Sequence, residues 1–129
     1  MPKKALVAVE QLSIQLGGQT IIPSLSFDVH HNETLGIVGE SGSGKSITAM
    51  SLMGLLPKQE ESLQASRLNF DGQSLIPFDE KRFRALRGKE IGMVFQDPMS
   101  ALNPSMRCGK QIEEIIALHS SLPKKEHQA

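Results

Sequence analysis

Residues 36–57 read GIVGESGSGKSITAMSLMGLLP, with four glycines in the first nine positions, an apolar run entering them and a helix-spaced apolar pattern leaving them. A chain that passes from strand to helix through so much glycine gives up side-chain packing there in favour of an accessible backbone. Gly39, Glu40, Ser41, Gly42, Ser43, Gly44, Lys45 and Ser46 fit the spacing G-x-x-x-x-G-K-[ST]. Gly39, Gly42 and Gly44 permit backbone angles that turn successive N–H groups inward, forming a nest for an anion. The helix that follows aims its positive end at the same point. Lys45 reaches outer phosphates, and the Ser46 hydroxyl is placed to ligate magnesium. The expected nucleotide-binding set is therefore residues 39–46 together with Ile47. The bland alternative, a flexible glycine-serine turn, does not explain why a buried strand precedes the loop and a helix follows it.

The rest of the chain narrows the class. At 129 residues there is room for one modest domain with a core. Fourteen basic residues balance fourteen acidic ones, so no global field points to nucleic acid or an acidic membrane surface. Tyrosine and tryptophan are absent and five phenylalanines supply every ring, which leaves few platforms for stacking bases. Nucleic acid is not an expected partner. No apolar run approaches the roughly 18 residues of a membrane span, so any membrane role comes through a partner. The start, MPKKALVAVEQLSIQL, has a basic tip but no small-residue cleavage site, and does not read as a secretory signal. Cys108 is the single cysteine, which rules out an internal disulfide and a cysteine-only zinc site. It fits a reducing compartment and reads as a small buried or rim residue.

Along the chain, Leu12, Ile14 and Leu16 alternate with polar residues as in a half-buried strand. GGQT makes a turn, and Leu25, Phe27 and Val29 alternate in a second strand. HHNE is the next turn, where Asn32 suits a left-handed backbone. His30 and His31 are adjacent in an extended segment and point to opposite faces, which argues against a shared metal ion. TLGIV, apolar without alternation, predicts a strand covered on both faces. Ile47, Met50, Met53 and Leu56 recur at helical spacing until Pro57. KQEESLQAS reads as a polar connector, RLNFDGQSL as a strand and turn, and PFDEKRFRALRG as a helix with Asp79 at its start and Gly88 past its end. EIGMVFQ predicts another apolar strand, followed by the proline-broken loop DPMSALNPSMR. Ile112, Ile115 and Ile116 then mark one face of a helix, with Glu113 and Glu114 turned to water.

The phosphate loop followed some forty residues later by IGMVFQDPMSALNP resembles the ATP-binding subunits of ABC transporters, best the branch that energises uptake of dipeptides, oligopeptides and nickel. The likeness runs from about Val7 through Leu118. It implies an α/β fold of the P-loop NTPase class, the amino-terminal half of an ABC-type nucleotide-binding domain, with an antiparallel β subdomain plus the start of the parallel core sheet and of the helical subdomain. On that pattern residues 1–35 are β-subdomain strands, and 36–57 are strand, phosphate loop and helix. Residues 58–95 are connector, strand, helix and Q-loop strand, and 96–129 the Q-loop and the start of the helical subdomain. The resemblance implies ATP and Mg2+ as cofactors, with Lys45 and Gln96 catalytic, and Ser46 and Gln96 serving the metal. Gln96 would sit in the Q-loop, help hold magnesium and the attacking water, and, through residues 96–107, meet transmembrane permease subunits. A second ATP-binding subunit, identical or different, would complete the ATP sandwich at the cytoplasmic face of the inner membrane, where the protein would sit peripherally. Peptide is the first solute implied and nickel the second.

Two departures from the family pattern bear on function. The aromatic ring that usually stacks on adenine is replaced by Leu16, which offers apolar contact alone and forfeits about 0.5–1.5 kcal/mol. The signature loop Leu-Ser-Gly-Gly-Gln, the Walker B strand with its catalytic glutamate, and the switch histidine have no counterparts in these residues. LGGQ at 16–19 lacks the serine and precedes the phosphate loop, while Asp97 opens a loop after Gln96 instead of ending a strand. The expectation is a hydrolysis-deficient part whose open sheet leaves apolar surface exposed and the isolated chain unstable. Two alternatives compete with it: a stand-alone P-loop kinase using Asp97 for magnesium, and a non-catalytic nucleotide-binding or docking module.

Overall fold

The computed structural model describes residues 4–56, 61–99 and 101–120. The chain divides into two compact units, Met1–Arg84 and Ala85–Ala129.

The first unit is organised around one long strand. β1 (Ala5–Leu16) and β2 (Gln19–His30) form an antiparallel hairpin closed by the pair Leu16↔Gln19, with Gly17 and Gly18 both at positive φ (55° and 77°). Two positive φ values match the right-handed twist of the flanking strands, which is why a glycine pair lies there. The other edge of β1 is shared. Its first half pairs with β4 (Arg67–Phe70) and its second half with β3 (Glu61–Gln64), both antiparallel. The two pairings meet at a bulge: Val9 faces Phe27 and Leu12 faces Leu25, so β1 carries an extra residue there, with Gln11 at φ 51°. Gln11 N–H, displaced from the ladder, donates to Ser26 Oγ at 2.9 Å. The bulge resets the alternation, so that Val9, Leu12 and Ile14 are all essentially inaccessible.

β4 continues through the turn Asp71–Gly72 (φ 45° and 80°) into β5 (Gln73–Ser74). The Lys4 ammonium hydrogen-bonds the Asp71 carboxylate at 3.0 Å, and that bond, then the charge itself, holds the Asp71 carboxyl below its usual value. Because the folded pKa is lowered, this contribution is present above the ordinary carboxylate range and is lost as pH falls through the folded value. With both partners largely exposed it is small.

α1 (Lys45–Leu52) ends earlier than its apolar spacing predicts. Gly54 (φ 62°) closes it, with Leu55 N–H donating to Met50 O (3.0 Å) and Gly54 N–H to Ser51 O (3.1 Å). This paired arrangement satisfies the last carbonyls, so Gly54 and not Pro57, which lies outside the described residues, stops the helix. The buried helical residues are Thr48 and Ser51, while Ile47 and Met50 are only half-buried. Met53 and Leu56, beyond the helix end, join the core with Leu68, Leu75 and Phe83. A Cβ on Gly54 would lie 2.6 Å from the Phe83 ring, so the chain turns directly over that ring. α2 (Glu80–Leu86) starts as expected: Asp79 Oδ1 accepts Lys81 N–H at 3.0 Å.

Three expectations are corrected. KQEESLQAS holds a strand, β3, whose polar sequence carries no signal because its partner, β1, supplies the ladder. TLGIV forms no strand: Leu35, Ile37 and Val38 are 42%, 44% and 94% exposed. EIGMVFQ likewise holds only an isolated parallel bridge between Arg87 and Ile91, with Val94 91% exposed. A strand of this kind needs hydrogen-bonded neighbours at its edges and packed layers over its faces, and among the described residues neither segment has a strand neighbour beyond that single bridge. Asn32 does take the left-handed conformation anticipated for it (φ 60°).

In the second unit, α3 (Cys108–His119) follows a loop of linked turns. The Gln111 side chain fastens that loop, with Oε1 accepting Asn103 N–H (3.0 Å) and Nε2 donating to Asn103 O and Met106 O (both 3.1 Å). The expected isoleucine face exists but is not buried. Ile112 and Ile115 are more than half exposed, and Ile116 and Glu113 are both intermediate. Cys108, expected to be buried or on a rim, is an exposed free thiol at the first residue of α3.

Leu12→Ala should lower the stability of the chain by about 2–5 kcal/mol in urea unfolding followed by circular dichroism, because it opens a cavity in the sealed sheet. Val94→Ser should change it by less than about 0.5 kcal/mol.

Candidate nucleotide-binding site

Gly44 is the N-cap of α1, at φ 89° and ψ 9°, and no side chain caps the helix. The first-turn amides of an uncapped helix lack intrahelical acceptors, so they stay available to an external anion. The loop before them closes on itself once, through Ser43 N–H donating to Glu40 O at 3.2 Å. Gly39, Glu40, Ser41, Gly42 and Ser43 are all exposed, as is Ser46, whereas Lys45 and Ile47 are half-buried and Gly44 is buried. At Gly39 a Cβ would stand 2.6 Å from Ser43 Oγ and 3.3 Å from Ser43 Cβ, so a side chain there would require the Ser43 hydroxyl to turn aside.

Lys45 ties the loop together. Its Nζ donates to Glu40 O at 2.6 Å, Gly39 O at 2.8 Å and Ser43 Oγ at 3.3 Å. One ammonium thus spans the loop and carries its positive charge to the same place as the helix N-terminus. The donor set of loop amides, an ammonium and an exposed serine hydroxyl suits a polyphosphate with its divalent cation, since every group presented is a donor or a hard oxygen.

Gly44 is also where the loop meets the sheet. A Cβ there would collide with Ile22 Cδ1 and stand 3.3 Å from Ile21 Cγ2. Ile22 pairs with the fully buried Ile14 of β1. From the helix side, Thr48 donates twice to Gly44 O, by its N–H (2.8 Å) and by Oγ1 (2.9 Å). The sequence signals for these two residues were faint. A hydroxyl four positions after the last loop glycine suggests a back-bond into the helix, but nothing local marks Ile22.

The other expected site residues divide. Leu16, half-buried, closes the β1–β2 hairpin two residues beyond Ile14, in the same unit as the loop. Gln96 is exposed and belongs to the second unit, Ala85–Ala129, directly before Asp97, whose Oδ1 accepts Met99 N–H at 3.2 Å. The phosphate-loop residues are brought together; Gln96 is placed only within its own unit. Among the described residues no helix is long and apolar enough to cross a membrane.

A glycine-rich loop cradled by a bare helix N-terminus and a lysine defines a nucleotide-binding domain of the P-loop class. A family model described as ABC transporter matches residues 22–129. The oligopeptide transport ATP-binding protein OppD of Bacillus subtilis (strain 168) is 44% identical over 123 residues, covering 92% of this chain and 34% of that protein. OppD of Salmonella typhimurium is 41% identical over 129 residues, 97% of this chain and 38% of its own length. The dipeptide transport ATP-binding protein DppD of Lactococcus lactis subsp. cremoris is 42% identical over 124 residues, 93% of this chain and 35% of its own length. The chain belongs to the ABC transporter family. It spans a little over a third of the length of these curated relatives.

Gly44→Ala should be far more damaging than Gly42→Ala. Both positions have φ near 80–90°, where an alanine costs about 1–2 kcal/mol, but a Cβ at Gly42 meets open space while one at Gly44 runs into Ile22. Thermal melts paired with titration of inorganic tripolyphosphate should show Gly44→Ala losing both stability and binding.

Proposed function

We propose that this chain is the phosphate-gripping portion of the ATP-binding subunit of an ABC importer that takes up peptides. The reading is carried by one observation: a bare helix N-terminus and Lys45 converge on the Gly39–Ser46 loop, in a chain 41–44% identical to oligopeptide and dipeptide transport ATP-binding proteins. ATP is the proposed ligand, with Mg2+. The magnesium, when bound, supplies positive charge that steadies the outer phosphates for attack by water.

The work assigned to the protein's own residues follows from their chemistry. The amides of the loop and of Ser46 and Ile47 would hold the phosphate oxygens. Lys45, which now spans Gly39 O and Glu40 O, would exchange those carbonyls for outer phosphate oxygens, a charge-assisted pairing stronger than the one it gives up. Ser46 would offer its hydroxyl to the metal, and Gln96 would hold the metal and orient water. Leu16 would meet the base through apolar contact alone. Partners under this reading are transmembrane permease subunits, reached through residues 96–107, and a second ATP-binding subunit, identical or homologous, at the cytoplasmic face of the membrane. Leu-Ser-Gly-Gly-Gln does not occur in these 129 residues. Turnover is accordingly assigned to the whole protein, and these residues by themselves to binding without hydrolysis. The kinase alternative has no counterpart among the transport proteins that the chain matches.

In the full-length protein, Lys45→Ala should weaken Mg-ATP binding about 10- to 100-fold, the equivalent of one hydrogen bond to a charged group. Gln96→Ala, which removes one metal contact, should weaken that affinity less than Lys45→Ala does and reduce ATP hydrolysis about 100-fold, as expected when a water is misplaced. Calorimetry and a phosphate-release assay read the two effects separately. Unchanged binding in Lys45→Ala would overturn the reading.

A further inference from the structure

We infer that Ile22 and Thr48 are positioning residues of the phosphate-binding loop, clamping Gly44 between sheet and helix and so fixing the direction of the first-turn amides. This rests on the nucleotide reading of the loop and deepens it. Gly44 has no side chain to anchor itself, sits at a left-handed φ of 89°, and follows a run of exposed residues from Gly39 to Ser43. Restraint on its peptide must therefore come from outside the loop, and two buried side chains supply it.

The first is Ile22. It is 8% exposed, and its Cδ1 lies against Gly44 so closely that a methyl group would not fit between them. Ile22 is itself held by its pairing with Ile14, which is 0% exposed in the central strand. The glycine is thus seated against a residue paired to the buried central strand, and the Ile22 side chain stops it from sinking toward the sheet.

The second is Thr48, 1% exposed. Its N–H and its Oγ1 both donate to Gly44 O, at 2.8 and 2.9 Å, which occupies both lone pairs of that carbonyl. A peptide flip that turned Gly44 O toward the loop would set an acceptor against the phosphate and remove an inward amide. With both lone pairs engaged below, that flip would break two bonds at a buried site. Ser51 extends the same column, its Oγ donating to Thr48 O at 2.7 Å. The clamp explains why the buried residues of α1 are hydroxyls and not the methionine and isoleucine its apolar spacing suggests. Threonine suits the position because its hydroxyl donates to Gly44 O while the residue stays buried.

The test uses the full-length protein and four mild substitutions, with Kd measured for Mg-ATP and for inorganic tripolyphosphate at a temperature where circular dichroism shows every variant folded. Ile22→Val removes the methyl that touches Gly44, and Thr48→Val removes the hydroxyl at nearly constant volume. Each should weaken both ligands by about three- to tenfold, and by the same factor, because the defect lies under the phosphates. Thr48→Ser, which keeps the donor, should bind within about twofold of the parent. Leu68→Val thins the core at β4 and should lower the melting temperature without changing either Kd. The clamp is overturned if Ile22→Val and Thr48→Val bind like the parent, or if Leu68→Val weakens binding as much as they do. A parent protein that binds neither ligand overturns the nucleotide reading itself, and the clamp with it.

Discussion

The contact between Gly44 and Ile22 is the point on which the site depends. A loop of exposed glycines and serines has no shape of its own, and a helix of eight residues contributes a useful N-terminus only if that terminus is fixed in space. Here the fixing is done by an antiparallel sheet whose central strand, β1, is paired along both edges and buries Leu12 and Ile14 completely. Hydrophobic burial in the sheet is thereby converted into placement of polar groups at the loop. The stability of the one and the function of the other meet at a single residue with no side chain.

That coupling also accounts for the character of α1. An ordinary surface helix would turn its apolar residues to the core. This one buries Thr48 and Ser51 and leaves Ile47 and Met50 half-covered. Two buried hydroxyls are tolerated because both donate to main-chain carbonyls, and one of those carbonyls belongs to Gly44. Lys45 performs the corresponding task on the open side, bridging Gly39 and Glu40 across the loop. Main-chain amides make up most of the site; Lys45 and Ser46 add an ammonium and a hydroxyl, and buried side chains beneath aim the backbone.

What could be read from the residues alone divides by the range of the interactions involved. The glycine-rich turn that leads into α1, the glycine turn at 17–18, the left-handed Asn32 and the Asp79 start of α2 are set by backbone preferences within a few residues, and each of these conformations is found where the sequence puts it. β3 was missed because a polar strand is defined by its partner, and Ser62 pairs with Gln15 regardless of hydropathy. Leu35, Ile37, Val38 and Val94 failed in the opposite sense: their apolar character marks surface that requires a neighbour, and no strand among the described residues provides one. The exposed Ile112 and Ile115 of α3 carry the same message. Ile22 was invisible for a related reason, since its contact with Gly44 is made across a sheet–helix junction that local spacing cannot encode.

The central claim is that the inward amides at the start of α1 hold the phosphates. Nitrogen–proton correlation spectra of the full-length protein, recorded during titration with Mg-ATP, test it most directly. The account predicts that the amide signals of Gly42, Gly44, Lys45, Ser46 and Ile47 shift furthest and together, with those of β4 and β5 nearly still. Large shifts elsewhere with these five unmoved at saturation would contradict it.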